Sequence, residues 1–201
     1  MPDSRSFHLN NPGRARVELD EREEMDADAA VVKRILAGEK DAFEVIVKKY
    51  QVRAYRAALG WVGNGEDALD LSQDAFVKAF RALKRYDRGR SFFAWFYVIL
   101  RNTCFNFLRK RRQEQTVSLD YVPAGMVATE DEGKRAELKR QVWRAIASLP
   151  ETTREVMILK YFEEMSYQAI AETVGCPIGT VMSRLYYGRK KLKRILKGYY
   201  G

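Results

Sequence analysis

Residues 178–195 carry hydrogen-bond donors at helical spacing along one face and apolar residues along the other. The donors have hydroxyl, guanidinium and ammonium groups, which bond to base edges and phosphates. They are Thr180, Ser183, Arg184, Tyr187 and Lys191. The apolar positions recur every three or four residues, and they are Val181, Leu185, Gly188, Leu192 and Ile195. The pattern predicts a helix that packs on a core by one face and binds DNA by the other.

The segment before this helix has the sequence features of a helix-turn-helix. Ser166 can cap a short helix, Gly175 permits the left-handed conformation of a tight turn, and Pro177 suits the start of the next helix. The small residues Ala171 and Gly175 allow the two helices to cross closely. We therefore expect a helix-turn-helix whose second helix enters the major groove of DNA. An ordinary helical hairpin with a solvated basic face is the alternative.

Residues 91–112, SFFAWFYVILRNTCFNFLRKRR, form a second candidate site that is both aromatic and basic. Seven of these residues are aromatic, more than duplex binding requires, whereas an unstacked base needs a new π-face or an apolar pocket. Arg101, Asn102 and Asn106 share one helix face and can hydrogen-bond such a base, while residues 109–112 suit phosphates. The stretch predicts binding to opened DNA.

Most aromatic side chains in this stretch, Trp95 and Phe96 in particular, are nevertheless expected in the core. The loop from Tyr86 to Phe92 is a better place for a base pocket, because loop groups can close around a flipped base. Its basic residues are Arg88 and Arg90.

Residues 66–74 contain four acids and no base. The acids lie in the first turns of a predicted helix and basic residues near its end, which complements the helix dipole. Asp67, Asp70, Asp74 and Lys78 also share an outward stripe that would suit a basic protein surface. The pattern leaves both interpretations open.

The chain of 201 residues has a net charge of +9, which indicates a polyanionic partner such as nucleic acid. Residues 86–113 and 134–201 are basic, and the acidic residues 114–133 separate them. The single histidine, His8, and the two cysteines, Cys104 and Cys176, lack metal-ligand spacing. The longest apolar run has nine residues, against roughly 20 for a membrane span. We expect a cytoplasmic protein without metal, cofactor or membrane insertion.

Helical periodicity without strand signals predicts an all-α fold. We expect a disordered extension over residues 1–26, a helical domain over 27–113, a flexible acidic linker over 114–137 and a second small helical domain over 138–201. The first helix is predicted from about Ala27, and Ser91 is predicted to cap a long fourth helix. Twenty linker residues reach roughly 66–72 Å when extended, so the two domains can touch separate sites on one duplex.

Several segments, in their order along residues 27–197, resemble those of the extracytoplasmic-function (group 4) sigma factors of bacteria. DAFEVIVKKY is similar to the start of sigma region 2, and EDALDLSQDAFVKAFRAL to the helix that binds the polymerase clamp. FFAWFYVILRNTCFNFLRKRR resembles the helix that melts and reads the −10 element. SLPETTREVMILKYFEEMSYQAIAETVGCPIGTVMSRLYYGRKKL resembles sigma region 4. Such an ordered set is more specific than a lone helix-turn-helix.

The resemblance implies an alternative sigma factor that directs core RNA polymerase to promoters, aids melting and is not an enzyme. Region 2 would bind the clamp helices of the largest subunit through Asp67, Asp70, Gln73, Asp74 and Lys78. Region 4 would bind the flap of the second-largest subunit and the double-stranded −35 element through Thr180, Ser183, Arg184, Tyr187 and Lys191. The melted −10 element would contact Tyr86, Arg88, Arg90, Phe92, Arg101, Asn102, Asn106 and Arg109. A nucleoid-associated protein, monomeric when free and inhibited by an anti-sigma factor, is expected.

Four positions depart from the family pattern. Met182 stands where a basic residue is usual, Tyr187 and Gly188 replace a frequent Arg-Ala pair, and Val98 takes a place that is often basic. The promoter sequence therefore does not follow from relatives. The extension 1–26 is either disordered or masks a basic DNA face until polymerase binds.

Two other functions account for part of the sequence only. A stand-alone helix-turn-helix regulator accounts for residues 166–196 but not for the aromatic stretch. It would normally bind paired half-sites as a dimer, and the sequence shows no dimerisation helix. A two-metal nuclease needs clustered carboxylates that point inward, whereas the acids of residues 66–74 lie on an outward stripe.

Overall fold

The computed structural model describes residues 12–115 and 141–197, with side chains from Arg22 to Glu114 and from Gln141 to Lys197. Every regular element in these two ranges is helical, so the all-α prediction is confirmed for them. The helices are α1 (Pro12–Leu36), α2 (Phe43–Val62), α3 (Gly65–Ala82), α4 (Phe92–Gln115), α5 (residues 141–147), α6 (Glu151–Tyr161), α7 (Tyr167–Val174) and α8 (Ile178–Leu196). Short 3-10 turns lie at Lys40–Ala42 and Leu83–Arg85.

Helix α1 begins at Pro12, well before the predicted start at Ala27. Residues 12–26, which were expected to be disordered, are therefore helical, and residues 1–11 lie outside the described ranges. Polar composition suggested disorder, but glutamate and arginine are good helix formers and no glycine or proline interrupts residues 14–37. The carboxylate of Asp28 on α1 also accepts hydrogen bonds from the Tyr50 hydroxyl and, at 2.6 Å, from the Lys49 ammonium. These bonds attach α1 to α2.

Aromatic rings fill the centre of the first domain, where α2, α3 and α4 pack together. The ring of Tyr50 on α2 stacks on Phe92 at the start of α4, with 5.6 Å between centroids. Phe76 on α3 stacks on Phe96 on α4 at 4.5 Å. Such ring pairs contribute about 0.5–1.5 kcal/mol each beyond the burial of their area. They fix the position of α4 relative to the other two helices.

Short polar turns set the ends of these helices. Gly63 ends α2 in the left-handed conformation, with φ of 72°. The side chain of Asn64 then caps α3 by accepting hydrogen bonds from the Glu66 and Asp67 amides at 2.9 and 3.1 Å. Ser91 caps α4 as predicted, since its hydroxyl accepts a hydrogen bond from the Ala94 amide at 3.3 Å. The turns therefore determine where the exposed faces of α3 and α4 begin.

The second domain consists of α5 to α8, and α6 and α8 form its central pair. Gly188 on α8 permits this close approach, because a Cβ there would lie 2.8 Å from the Met157 sulfur on α6. Val181 and Leu185 on α8 are buried on the same side. The apolar face predicted for this helix is therefore the face that packs.

The two domains also pack against each other, with α6 on α2 and α7 near α4. The Arg154 guanidinium on α6 donates a hydrogen bond to the Trp61 carbonyl oxygen at the end of α2, at 2.9 Å. The sequence predicts two domains but not this contact. The predicted linker, residues 114–137, continues α4 to Gln115 and otherwise lies outside the described ranges.

Replacing Phe92 with alanine is expected to lower the free energy of unfolding by about 3–5 kcal/mol, because the fully buried ring would leave a cavity between α2, α3 and α4. Urea denaturation followed by circular dichroism measures the change. Phe105→Ala on the exposed side of the same helix is the control, with an expected change within about 0.5 kcal/mol. Equal effects of the two substitutions would contradict the central position of Phe92.

Candidate nucleic-acid and protein interfaces

The helix-turn-helix predicted at residues 166–196 is present. The Ser166 hydroxyl caps α7 by accepting a hydrogen bond from the Ala169 amide at 3.1 Å. Gly175 ends α7 with φ of 71°, in the left-handed conformation that the turn requires. Pro177 immediately precedes the first residue of α8. The local sequence thus fixes the direction in which α8 leaves the turn.

All five residues predicted to contact duplex DNA lie on the outer part of α8. Ser183 and Tyr187 are exposed, Tyr187 to 63%, and Thr180, Arg184 and Lys191 are half-buried. The Arg184 guanidinium lies 3.8 Å from the Cys176 sulfur, and the Lys191 ammonium donates to the Ser148 carbonyl oxygen at 3.2 Å. The arrangement presents hydrogen-bond donors along one side of a helix, and the major groove of DNA is wide enough to admit a helix.

Two exposed apolar side chains beside this stripe were not among the predicted site residues. Met182 is 53% exposed and Tyr186 is 55% exposed. Apolar groups at such positions can contact thymine methyl groups, which the major groove presents. The signal in the sequence was their place outside the buried three- and four-residue repeat of α8.

The loop before α4 and the outer face of α4 carry most of the groups predicted to bind opened DNA. Arg88 and Arg90 are exposed in the loop. Asn102, Asn106 and Arg109 are exposed along α4. These groups can contact phosphates and base edges without any rearrangement of the helix.

Tyr86 and Phe92, which were also predicted to contact DNA, lie in the core instead. Phe92 has no exposed surface, and Tyr86 is 6% exposed. The Tyr86 hydroxyl donates a hydrogen bond to the Arg90 carbonyl oxygen at 2.6 Å, which holds the loop in place. Burial raises the pKa of Tyr86 to about 12, so this hydroxyl keeps its proton. The two rings therefore lie in the core beneath the loop and stabilise its position.

Trp95, unlike Tyr86 and Phe92, is partly exposed at the surface. It was expected in the core with Phe96, and Phe96 is fully buried, but Trp95 is only half-buried. Its ring lies 5.3 Å from Tyr86 and 5.5 Å from Phe92, measured between centroids. A partly exposed indole beside a basic loop can stack on an unpaired base.

Arg101 does not point freely to solvent. Its guanidinium donates to a carboxylate oxygen of Glu155 on α6 at 2.8 Å, and the Glu155 side chain is only 8% exposed. The predicted DNA contact at Arg101 is therefore occupied by the second domain in this conformation.

The outer face of α3 carries the groups predicted to bind a protein. Asp70, Gln73, Asp74 and Lys78 are exposed there. Lys78 forms an ion pair with Asp74 at 2.7 Å. Asp67 is half-buried and pairs with Arg111 on α4 at 3.0 Å, so it also joins two helices. The predicted stripe exists, but Asp67 lies at its inner edge.

Leu69 and Val77 add apolar surface to α3 and were not among the predicted site residues. They are 49% and 48% exposed. A helix face with carboxylates, an amide and exposed aliphatic groups suits contact with another protein better than contact with nucleic acid.

Neither a cluster of metal-ligating side chains nor a membrane-spanning helix occurs among the described residues. No group of three or more histidine, cysteine, aspartate or glutamate side chains there could hold a metal ion. No helix in these two ranges is long and apolar enough to cross a bilayer. Burial raises the pKa of the Cys104 thiol to about 12, so it stays protonated at neutral pH.

Comparison with known proteins decides the family. A model of Sigma-70 region 2 matches residues 46–114, and a model of Sigma-70 region 4 matches residues 139–192. The RNA polymerase sigma-H factor of Pseudomonas aeruginosa is 32% identical over 183 residues, which is 86% of this chain and 95% of that protein. The chain belongs to the ECF family of RNA polymerase sigma factors. The ECF sigma factor SigW of Bacillus subtilis is 30% identical over 83% of this chain and 95% of its own length.

Solved structures of sigma factors have a similar fold. CnrH, determined in complex with the cytosolic domain of CnrY, has a TM-score of 0.67 and 26% identity, covering 86% of this chain and 99% of that one. RpoE from Bartonella quintana, determined in complex with the anti-sigma factor NepR, has a TM-score of 0.58 and 27% identity, covering 77% and 98%. The family predicted from the ordered motifs is therefore confirmed, and the sigma factor directs RNA polymerase to promoters.

Arg184→Ala is expected to weaken promoter binding by about 1–3 kcal/mol, because a guanidinium on the exposed side of α8 can bond a guanine in two places. The measurement uses reconstituted holoenzyme and a promoter selected by the wild-type protein from a library randomised at the −35 element. Arg194→Ala, at an exposed position near the end of α8, is the control and should change affinity much less. An unchanged affinity for Arg184→Ala would remove this residue from base recognition.

Proposed function

We propose that this sigma factor divides promoter recognition between three surfaces, one for the polymerase and two for DNA. The observation that carries the proposal is the arrangement of α3, α4 and α8. Each presents an exposed face of different chemistry, which is acidic and apolar on α3, aromatic and amide-rich on α4, and hydroxyl- and guanidinium-bearing on α8. Different partners would bind faces of such different composition.

Helix α3 would bind the clamp helices of the largest polymerase subunit. Asp70, Gln73 and Asp74 provide exposed acceptors, and Leu69 and Val77 provide the apolar area that a protein interface needs. Electrostatic attraction to a basic surface would speed association and fix the orientation of the helix.

Reversing Asp70 and Asp74 to lysine together is expected to weaken binding to core RNA polymerase at least tenfold, about 1.4 kcal/mol, since two attractive contacts become repulsive. Titration of fluorescently labelled protein with purified bacterial core polymerase, followed by anisotropy, gives the affinity. The control is Glu44→Lys, a reversal at an exposed carboxylate on α2. If both variants bind as tightly as the wild type, α3 is not the polymerase surface.

Helix α8 would read the double-stranded −35 element, and the second domain would also contact the flap of the second-largest subunit. Thr180, Ser183 and Arg184 lie towards the start of α8, where a recognition helix contacts base edges. Tyr187 and Lys191 lie further along and would contact bases or phosphates at the edge of the groove.

The loop before α4 would capture a base of the melted −10 element. Trp95 offers a partly exposed ring for stacking, Arg88 and Arg90 are exposed in the loop before α4, and Asn102 can bond a base edge. Tyr86 and Phe92 would support this pocket rather than touch the base.

Asn102→Ala is expected to slow open-complex formation about tenfold or more while core binding stays unchanged, because a lost hydrogen bond to an extruded base costs roughly 1–3 kcal/mol. Permanganate reactivity of unpaired thymines follows melting, and the anisotropy titration measures core binding. The control Gln113→Ala removes an amide from the same helix about three turns away. A loss of core affinity instead would assign Asn102 to the polymerase surface.

The remaining predictions concern partners and boundaries. We place residues 27–113 in the −10 and core-binding domain and 138–201 in the −35 domain, with 114–137 as the linker. An anti-sigma factor is a reasonable partner, since the similar RpoE structure contains one. The protein would act as a monomer without catalytic residues, in the cytoplasm at the nucleoid, where its polymerase and DNA partners are found.

A further inference from the structure

A continuous apolar stripe runs along the first half of α8. Ile178, Met182 and Tyr186 follow one another at intervals of four residues, so their side chains lie on one side of the helix. They are 45%, 53% and 55% exposed. Val181 and Leu185 provide the buried face, so the packing of the domain does not require the stripe to be apolar. Single exposed apolar side chains are common on proteins, whereas three on consecutive turns indicate a contact.

The charge around the apolar stripe favours DNA as the partner. Residues 178–197 contain seven lysines and arginines and no aspartate or glutamate. Arg189 and Lys193 are exposed on the side of the helix that carries the stripe. Duplex DNA fits this combination, because it presents phosphates along the groove and apolar methyl groups within it.

Several donors of α8 are already engaged within the second domain. The Ser183 hydroxyl donates a hydrogen bond to the Thr180 carbonyl oxygen at 3.0 Å, and the Lys191 ammonium donates to the Ser148 carbonyl oxygen at 3.2 Å. Met182 lies next to Ser183 and is more exposed than Thr180. The first turns of a recognition helix contact base edges. Apolar contact therefore has a larger part in recognition at this end of α8 than the donor pattern alone indicates.

The chemistry of Met182 selects one group on the major-groove edge of a base pair. Its thioether has no hydrogen-bond donor and is only a weak acceptor, so it gains little from the polar groups of the bases. The C5 methyl group of thymine is the apolar group on that edge. An unbranched methionine can adapt its shape to pack on this methyl group, and Ile178 adds apolar area one turn before it.

We propose that Met182, with Ile178 beside it, recognises the methyl group of a thymine in the −35 element. The promoters of this sigma factor then carry a T·A or A·T pair at the position that faces the second turn of α8. Contact with the methyl group, rather than a hydrogen bond, distinguishes that pair from the others. The inference rests on the proposed −35 role of α8.

The first test compares thymine with deoxyuridine, which forms the same base pair but lacks the C5 methyl group. Reconstituted wild-type holoenzyme selects a promoter from a library randomised at the −35 element. Each thymine of the selected element, on either strand, is then replaced singly by deoxyuridine. We expect one replacement to weaken holoenzyme binding about fourfold, the loss that follows when a buried methyl group returns to water. A selected element without thymine, or replacements that all leave the affinity unchanged, would overturn the proposal.

The second test asks whether Met182 is the side chain that contacts the methyl group. Met182→Gln keeps the length and the helix propensity of methionine but replaces the thioether with an amide. We expect this variant to bind the thymine and deoxyuridine promoters equally. Arg194→Gln, at an exposed position more than three turns further along α8, is the control and should keep the ratio of about four. If the ratio also survives in Met182→Gln, the methyl group acts through the DNA or another side chain, and the assignment is wrong.

Failure of the inference and failure of the proposed function can be told apart. If Met182→Gln keeps the wild-type ratio while Arg184→Ala weakens binding to the selected promoter, α8 binds the −35 element and only the inference fails. If the library yields no preferred −35 sequence and neither substitution changes the affinity, the proposed −35 role fails and the inference fails with it. Anisotropy titration with core polymerase completes the set, because a loss of core affinity in Met182→Gln would assign the apolar stripe to the polymerase instead.

Discussion

The buried ring of Tyr50 on α2 is the contact on which the placement of the first domain depends. It stacks on Phe92 at the start of α4, and its hydroxyl donates to Asp28 on α1. Burial, followed by the neighbouring Asp28 carboxylate, raises the pKa of Tyr50, so the hydroxyl remains a donor. One side chain thus joins three helices, and the positions of the loop before α4 and of the exposed face of α4 follow from it.

In the second domain, helix caps and small residues, rather than a buried aromatic ring, position the exposed face. Its outer face is set by caps and small residues, such as Ser166 and Gly175 at the turn and Gly188 at the crossing of α6 and α8. The side chains that face outward from α8 are free to vary without loss of packing. This separation explains how a member of the family can carry Met182 and Tyr187 where relatives have other residues and still keep the fold.

Features that depend only on neighbouring residues were predicted correctly from the sequence. The turn at Gly175, the cap at Ser91 and the apolar face of α8 depend on residues within one or two turns, and the sequence predicted them. Packing against α2 and α3 decides which aromatic side chains of residues 91–112 face outward. For this reason Phe92, predicted to contact DNA, is buried, and Trp95, predicted in the core, is partly exposed. The pair of Arg101 and Glu155 joins residues 54 apart in sequence, and neither side chain has a local pattern that indicates the other. The early start of α1 was missed because polar composition does not distinguish a docked helix from a disordered segment.

The most direct test of the account is transcription in vitro from total genomic DNA of the source organism, with core RNA polymerase alone and with this protein added, followed by sequencing of RNA 5′ ends. The account predicts a defined set of new start sites that share one −10 and one −35 element at fixed spacing, and that appear only with the protein. Identical start sites in the two reactions would contradict its action as a promoter-specificity subunit.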